Sequence, residues 1–198
     1  MSSKRNIVVT GFGLFAGYTD RNPSWEAVKL LPDMYEFKYV QYRIDKLLVP
    51  VEFDAVDEVV PQIWKGEPTL VIHAGVHGGI ETINLEKCAY TSGYCRPGLA
   101  RKNDLNKNGK RLSLQTKLDV DFIAKELTIG DVRCCCSTEV GTYLCGYIYL
   151  KSLEVDQERT LFVHVPDVDR PYSSEQTKDI LFQILHQCMK QLDAKHKL

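Results

Sequence analysis

Two hydrophobic periods take turns along the chain, and their order is the first guide to its fold. Ile7–Thr10 is a β-branched run closed by Gly11-Phe12-Gly13, which predicts a buried strand feeding a loop. Asn22-Pro23 then opens a helix, with Asn as cap, Pro at the first helical position and Trp25, Val28 and Leu31 on one face. Phe37–Val49 reads as a strand region whose alternation is clearest at Phe37 and Tyr39. Phe53, Val56, Val60 and Ile63 follow at helical spacing up to Gly66, and Leu70–Ile72 is a buried strand running into the glycine-rich AGVHGG. Thr82–Tyr90 alternates like a strand. Val120, Ile123, Ala124 and Leu127 predict a helix capped by Asp119, and Val132, Cys134 and Cys136 share one side of another strand. After the turn at Gly141, apolar Leu144, Tyr147, Ile148 and Leu150 predict a buried helix over the end of Thr138–Leu150. Leu161–Val165 is the last strand, stopped by Pro166. Ser173-x-x-Gln176 is a capping box opening a terminal helix that faces the core with Ile180, Leu181, Ile184, Leu185, Cys188 and Leu192.

Strands alternating with helices are the signature of an α/β sheet with crossover helices, so the expectation is one α/β domain over 1–198. Residues 91–116 carry few apolar side chains, and a connection that long predicts a flexible flap. The bulk composition narrows the class. Of 198 residues, 44% are hydrophobic and 26% charged, as in an ordinary soluble globular protein. A net charge of −1 argues against nucleic acid or an anionic membrane as partner. MSSKRN leads straight into a β-like run, so no signal peptide is expected, and no apolar segment nears the ~20 residues of a membrane span. Seven cysteines, three of them adjacent at Cys134–Cys136, do not resemble a disulfide framework, and a reducing, cytoplasmic setting follows.

In open α/β sheets the ligand lies beyond the carboxyl ends of the strands. Phe12, Phe15, the AGVHGG turn, Cys145 and His164 stand there. Cys145, in the first turn of its helix, feels the positive end of the macrodipole, which favours the nucleophilic thiolate; the plain alternative is a small core residue. His164 is the partner best placed to move its proton, or else a satisfied core histidine. Glu86 interrupts a strand where a charge is costly unless paired, so it is the carboxylate to orient the imidazole; the alternative is the solvent face of a half-buried strand. Phe12 and Phe15 either flank a ligand, or one plugs the core while the other is a surface aromatic.

Five pieces in this order resemble one family. GFG-x-F (Gly11–Phe15) followed by NPSWEAV (Asn22–Val28), then HAGVHGG, TINLEKC, GTYLC and FVHVP, are similar to the signatures of pyroglutamyl-peptidase I, cysteine peptidase family C15. The resemblance implies a single-domain three-layer sandwich, a twisted mixed sheet flanked by helices and related to the purine nucleoside phosphorylases. It implies a Glu–Cys–His triad on Glu86, Cys145 and His164, and a pocket in which the pyroglutamyl ring packs on Phe12, Phe15 and Tyr143. Activity would be removal of an N-terminal pyroglutamate from peptides through a thioacyl-enzyme, with no metal or other cofactor, by a monomer or weak homo-oligomer. A neutral lactam suits aromatic faces and backbone hydrogen bonds, without a charged specificity residue.

Two positions depart from the family pattern. Leu14 replaces the usual proline of the aromatic loop, which predicts a less rigid hold on Phe12 and Phe15. Gly146 replaces a polar residue after the nucleophile and lowers helix propensity there. Three other readings compete: a relative that binds pyroglutamyl termini without efficient cleavage, a phosphate-using transferase built on the glycines around His77, and a zinc site from His73, His77, Cys88 and Cys95.

Overall fold

The computed structural model describes residues 5–95, 105, 109–127 and 130–196. Residues 96–104 and 106–108 of the expected flap lie outside the described residues. The chain forms strands β1 (Asn6–Phe12), β2 (Met34–Phe37), β3 (Val40–Val49), β4 (Leu70–Val76), β5 (Ile83–Glu86), β6 (Cys88–Tyr90), β7 (Ser113–Gln115), β8 (Cys134–Ser137) and β9 (Thr160–Val165). Its helices are α1 (Pro23–Val28), α2 (Phe53–Lys65), α3 (Val120–Glu126), α4 (Leu144–Val155) and α5 (Ser174–His196). Among the described residues, seven strands make one mixed sheet in the order β2-β3-β1-β4-β9-β5-β8, and β6 and β7 form a separate ribbon.

The centre of the sheet is parallel. β1 lies between β3 and β4, and β9 runs beside β4 in the same direction. Strands covered on both faces have no solvent side, which is why β1 and β9 are buried along their whole length. The pleat sends successive side chains to opposite layers. Ile7 and Val9 enter a core under α1, α3 and α5, while Val8 joins Val71, Phe162 and Tyr149 beneath α2 and α4. β5 breaks the parallel run by lying antiparallel to β9, and β8 pairs with β5 at the edge.

The helix caps are those the sequence predicts. Asn22 accepts from Ser24 N, Asp119 from Phe122 N, and Ser173 and Gln176 bond each other's backbone N–H. Phe37–Val49, however, is not one strand. β2 and β3 form an antiparallel hairpin whose turn is Lys38-Tyr39, with φ of 49° and 65°, and Tyr39 is 96% exposed. Such left-handed pairs are usually marked by Asn or Gly. Lys-Tyr carries no such signal, so the alternation through Tyr39 imitates a strand. Thr82–Tyr90 likewise divides at Lys87, which leaves the main sheet to bond Asp121.

One buried polar chain sets α4 on the sheet. His73 on β4 lies between the Thr10 hydroxyl (2.8 Å) and the Ser152 hydroxyl (2.7 Å), and Trp64 Nε1 donates to Ser152 at 3.2 Å. Burial lowers the His73 pKa to about 3, so the ring is neutral and its two nitrogens serve β1 and α4.

A close backbone approach between layers is at Gly11. A Cβ there would lie 2.8 Å from Trp25 Cα and 2.9 Å from Trp25 N, both backbone atoms that cannot move alone. Gly11→Ala should therefore cost about 1–3 kcal/mol and lower the thermal midpoint by roughly 3–10 °C. Thermal unfolding followed by circular dichroism measures it; an unchanged midpoint would contradict this approach of α1 to β1.

Candidate active site

Gly141, with φ of +82°, turns the chain into α4, and Tyr143 in extended conformation caps it. Leu144 and Cys145 are thus the first two helical residues. The first intrahelical bond is Tyr147 N to Tyr143 O, and the amides before it belong to the turn whose N–H groups lack intrahelical acceptors. The dipole expectation for the thiol is outweighed here. Burial, and then the negative charge of Glu86, push the Cys145 thiol up to about 12, against only a backbone hydrogen bond that lowers it. The resting group is a thiol, and it needs a base at the moment of attack.

A histidine, His164, lines the same cavity as Cys145. Glu86 is 1% exposed, and its Oε1 accepts from His164 Nδ1 at 2.7 Å, a contact fully inside the protein. The solvent-face alternative for Glu86 is thereby removed. The antiparallel register explains the pairing: Asn84 lies opposite His164 and Glu86 opposite Phe162, so Glu86 and His164 are diagonal neighbours on one sheet face. Since a carboxylate only accepts, Nδ1 carries the proton of this bond. Glu86 Oε2 is buried with no hydrogen-bond partner among the described residues.

Two glycines admit the nucleophile. A Cβ on Gly75 of β4 would stand 2.8 Å from Cys145 Sγ and 2.7 Å from the Phe162 ring. A Cβ on Gly146 would overlap the Gly141 carbonyl oxygen and come within 3.0 Å of Tyr94. Gly146 is therefore required by the close return of the 141 loop, and its carbonyl accepts from the Tyr94 hydroxyl at 2.9 Å. The helix begins in spite of the lowered propensity because this packing holds it.

Cys145 and His164 open into a cavity of about 480 Å³ that Phe12, Phe15 and Tyr143 also line. Phe12 is a core residue as well as a wall, only 4% exposed, whereas Phe15 is half-buried and Tyr143 is 69% exposed at the mouth. The loop is firm without the proline. Gly13 N donates to Val49 O (2.9 Å), Asn22 Nδ2 to Gly13 O (2.8 Å) and Phe12 N to the Ser24 hydroxyl (3.0 Å). Phe15 and Tyr18 close a two-bond bridge, which leaves Leu14 outside, 57% exposed. All six residues singled out from sequence thus surround one cavity or, in the case of Glu86, support it from behind.

Other wall residues carried weaker signals. Asn22 is legible as a helix cap and Gly75 only as part of a glycine-rich turn, while Val51, Val76 and Glu139 follow from strand-end position alone. The zinc reading fails, since His73 is committed to Thr10 and Ser152. Among the described residues no group of three His, Cys, Asp or Glu could hold a metal. No helix among them is long and apolar enough to cross a membrane.

The site thus brings together, in one α/β domain, a half-buried cysteine at a helix start and a carboxylate-paired histidine that line the same cavity. The pyroglutamyl peptidase family model matches residues 5–182, and the chain belongs to that family. Pyroglutamyl-peptidase 1 from Homo sapiens is 34% identical over 96% of this chain and 92% of its own. Pyrrolidone-carboxylate peptidase from Thermococcus kodakarensis is 32% identical over 87% and 84%. Among solved structures, pyrrolidone carboxyl peptidase from Thermococcus litoralis covers 97% of this chain and 96% of its own, with TM-score 0.79 and 19% identity. Pyroglutamyl peptidase I from Bacillus amyloliquefaciens covers 93% and 95%, with TM-score 0.75 and 22% identity. At those identities the two structures speak for the fold.

The raised thiol pKa has a direct consequence. Alkylation of Cys145 by iodoacetamide should climb about tenfold per pH unit from pH 7 to 10 with no plateau, because the thiolate fraction is still growing. Glu86→Gln removes the neighbouring negative charge, so alkylation at pH 8 should become faster. Mass spectrometry of the modified peptide reads both, and a plateau near pH 9 would mean an unperturbed thiol. Separately, Gly75→Ala should lower kcat by roughly tenfold or more while leaving the protein folded, since Sγ must yield to the new methyl; steady-state kinetics with a thermal melt checks this.

Proposed function

We propose that this protein is a pyroglutamyl peptidase that hydrolyses the amide bond after an N-terminal pyroglutamyl residue, with Cys145 as nucleophile, His164 as acid and base, and Glu86 as orienter. The carrying observation is the shared cavity. A half-buried cysteine and a Glu86-bonded imidazole open onto one predominantly apolar cavity with aromatic walls, and the family's named members carry this activity. His164 Nε2 takes the Cys145 proton as Sγ attacks the pyroglutamyl carbonyl carbon, and the same proton then passes to the leaving amine as the C–N bond breaks. Amides of the first turn of α4 offer hydrogen bonds to the developing oxyanion, where the helix dipole also helps. Water, deprotonated by His164, then hydrolyses the thioester and frees pyroglutamate. Because the resting thiol is protonated, proton transfer accompanies attack and does not precede it.

The lactam ring lies between Phe12 and Phe15 with Tyr143 over the mouth. This predominantly apolar pocket rejects a free ammonium terminus, which would be buried without a partner. Every proposed site residue comes from one chain, so a monomer suffices. The seven cysteines are all free, in keeping with a reducing cytoplasm.

Purified protein should release the fluorophore from a pyroglutamyl fluorogenic amide. Cys145→Ala should abolish turnover without unfolding, and His164→Ala added to it should cost almost nothing more, as for groups acting as a unit. Full activity in Cys145→Ala would refute the assignment. Phe15→Ala, which spares the core position of Phe12, should lower kcat/KM by roughly ten- to a hundredfold, equally for two leaving groups. Unequal losses would place the ring elsewhere.

A further inference from the structure

The leaving side of the cavity has its own fittings. If His164 hands a proton to the leaving nitrogen, the residue after pyroglutamate has to pass along the open flank of that imidazole. The side chain on this flank is His77, whose ring stands edge-on to His164 with centroids 5.3 Å and planes 77° apart. It follows β4 directly, is fixed by its N–H to Val165 O at 3.0 Å, and is exposed at the cavity rim. Next along the chain, a Cβ on Gly78 would lie 3.0 Å from the Tyr18 hydroxyl and 3.8 Å from Asp167 Oδ1.

Tyr18 donates to Asp167, and both line a second cavity of about 620 Å³ with Asp20, Arg21 and Arg170. The Phe15 and Tyr18 rings are 5.0 Å apart, one facing each cavity. The two spaces therefore share a wall made of the Phe15–Tyr18 and His77–Gly78 turns. Where the first is apolar, the second carries both signs of charge and is more open to solvent.

We propose that the rim and the second cavity form a leaving-side subsite: His77 contacts the residue following pyroglutamate, and the polar cavity takes the next residues of the departing peptide. This inference rests on the peptidase reading above. The chemistry of the second cavity suits peptide amides and polar side chains, with carboxylates for N–H groups and guanidinium groups for carbonyls. It makes pyroglutamyl peptides of four or more residues better substrates than pyroglutamyl amides that lack a following residue.

The test compares kcat/KM for pyroglutamyl amide, whose leaving group is ammonia, a pyroglutamyl dipeptide and a polar pyroglutamyl tetrapeptide. The wild-type protein should prefer the tetrapeptide over the amide by roughly fivefold or more. His77→Ala should shrink the preference for both peptides over the amide by roughly three- to tenfold. Arg170→Glu should shrink it for the tetrapeptide and not for the dipeptide. Equal losses on all three substrates, with a displaced pH–rate profile, would mean that His77 acts on His164 and would overturn the subsite. Unchanged preferences in both variants would overturn it too. If wild-type protein turns over none of the three, the peptidase reading falls and the subsite with it; turnover with no length preference removes the subsite alone.

Discussion

The hydrogen bond between Glu86 and His164 is the contact around which the rest is arranged. Both groups are out of water, where an unpaired carboxylate would cost several kcal/mol. Their pairing demands that β5 lie antiparallel to β9, so that positions 86 and 164 become diagonal neighbours. Together with the β2–β3 hairpin at the other edge, that reversal makes the sheet mixed. A parallel β5 would shift this register, and the carboxylate would have no imidazole to answer it.

The nucleophile depends on equally exacting packing. α4 is pinned at Ser152 by His73 and Trp64, and its first turn is wedged between Gly75 below and the Gly141 carbonyl behind Gly146. At Gly146 the backbone approach leaves no space for a Cβ, while at Gly75 a Cβ would press on Cys145 Sγ and the Phe162 ring. The same closeness buries the thiol. Burial and the Glu86 charge raise its pKa further than a helix N-terminus lowers it, because desolvation of a thiolate exceeds a dipole effect worth typically 0.3–1 kcal/mol.

Family membership and local chemistry agree from independent directions. Relatives about a third identical cover nearly the whole chain, while the solved structures share the fold at about a fifth identity. The two departures from the family pattern turn out to be accommodated. Leu14 points outward because the Phe15–Tyr18 bridge and Asn22 hold the loop, and Gly146 is demanded by its neighbour. Firmness in the aromatic loop comes from hydrogen bonds that a proline would have supplied as restricted torsion.

The sequence by itself determined the α/β class, the central strands, the caps at Asn22, Asp119 and Ser173, and the candidates Cys145, His164, Phe12 and Phe15. Those features are written in short-range patterns: apolar runs, capping residues and positions just past strand ends. It left Glu86 open between a paired carboxylate and a solvent face, since a period of two gives the same reading for both. Only the tertiary structure decided that, by laying β5 against β9. It also decided the Lys38-Tyr39 hairpin, where no turn residue marks the reversal, and the raised pKa of the thiol. Chain direction within a sheet, close backbone approach and depth of burial arise between segments far apart in sequence, and no local pattern encodes them.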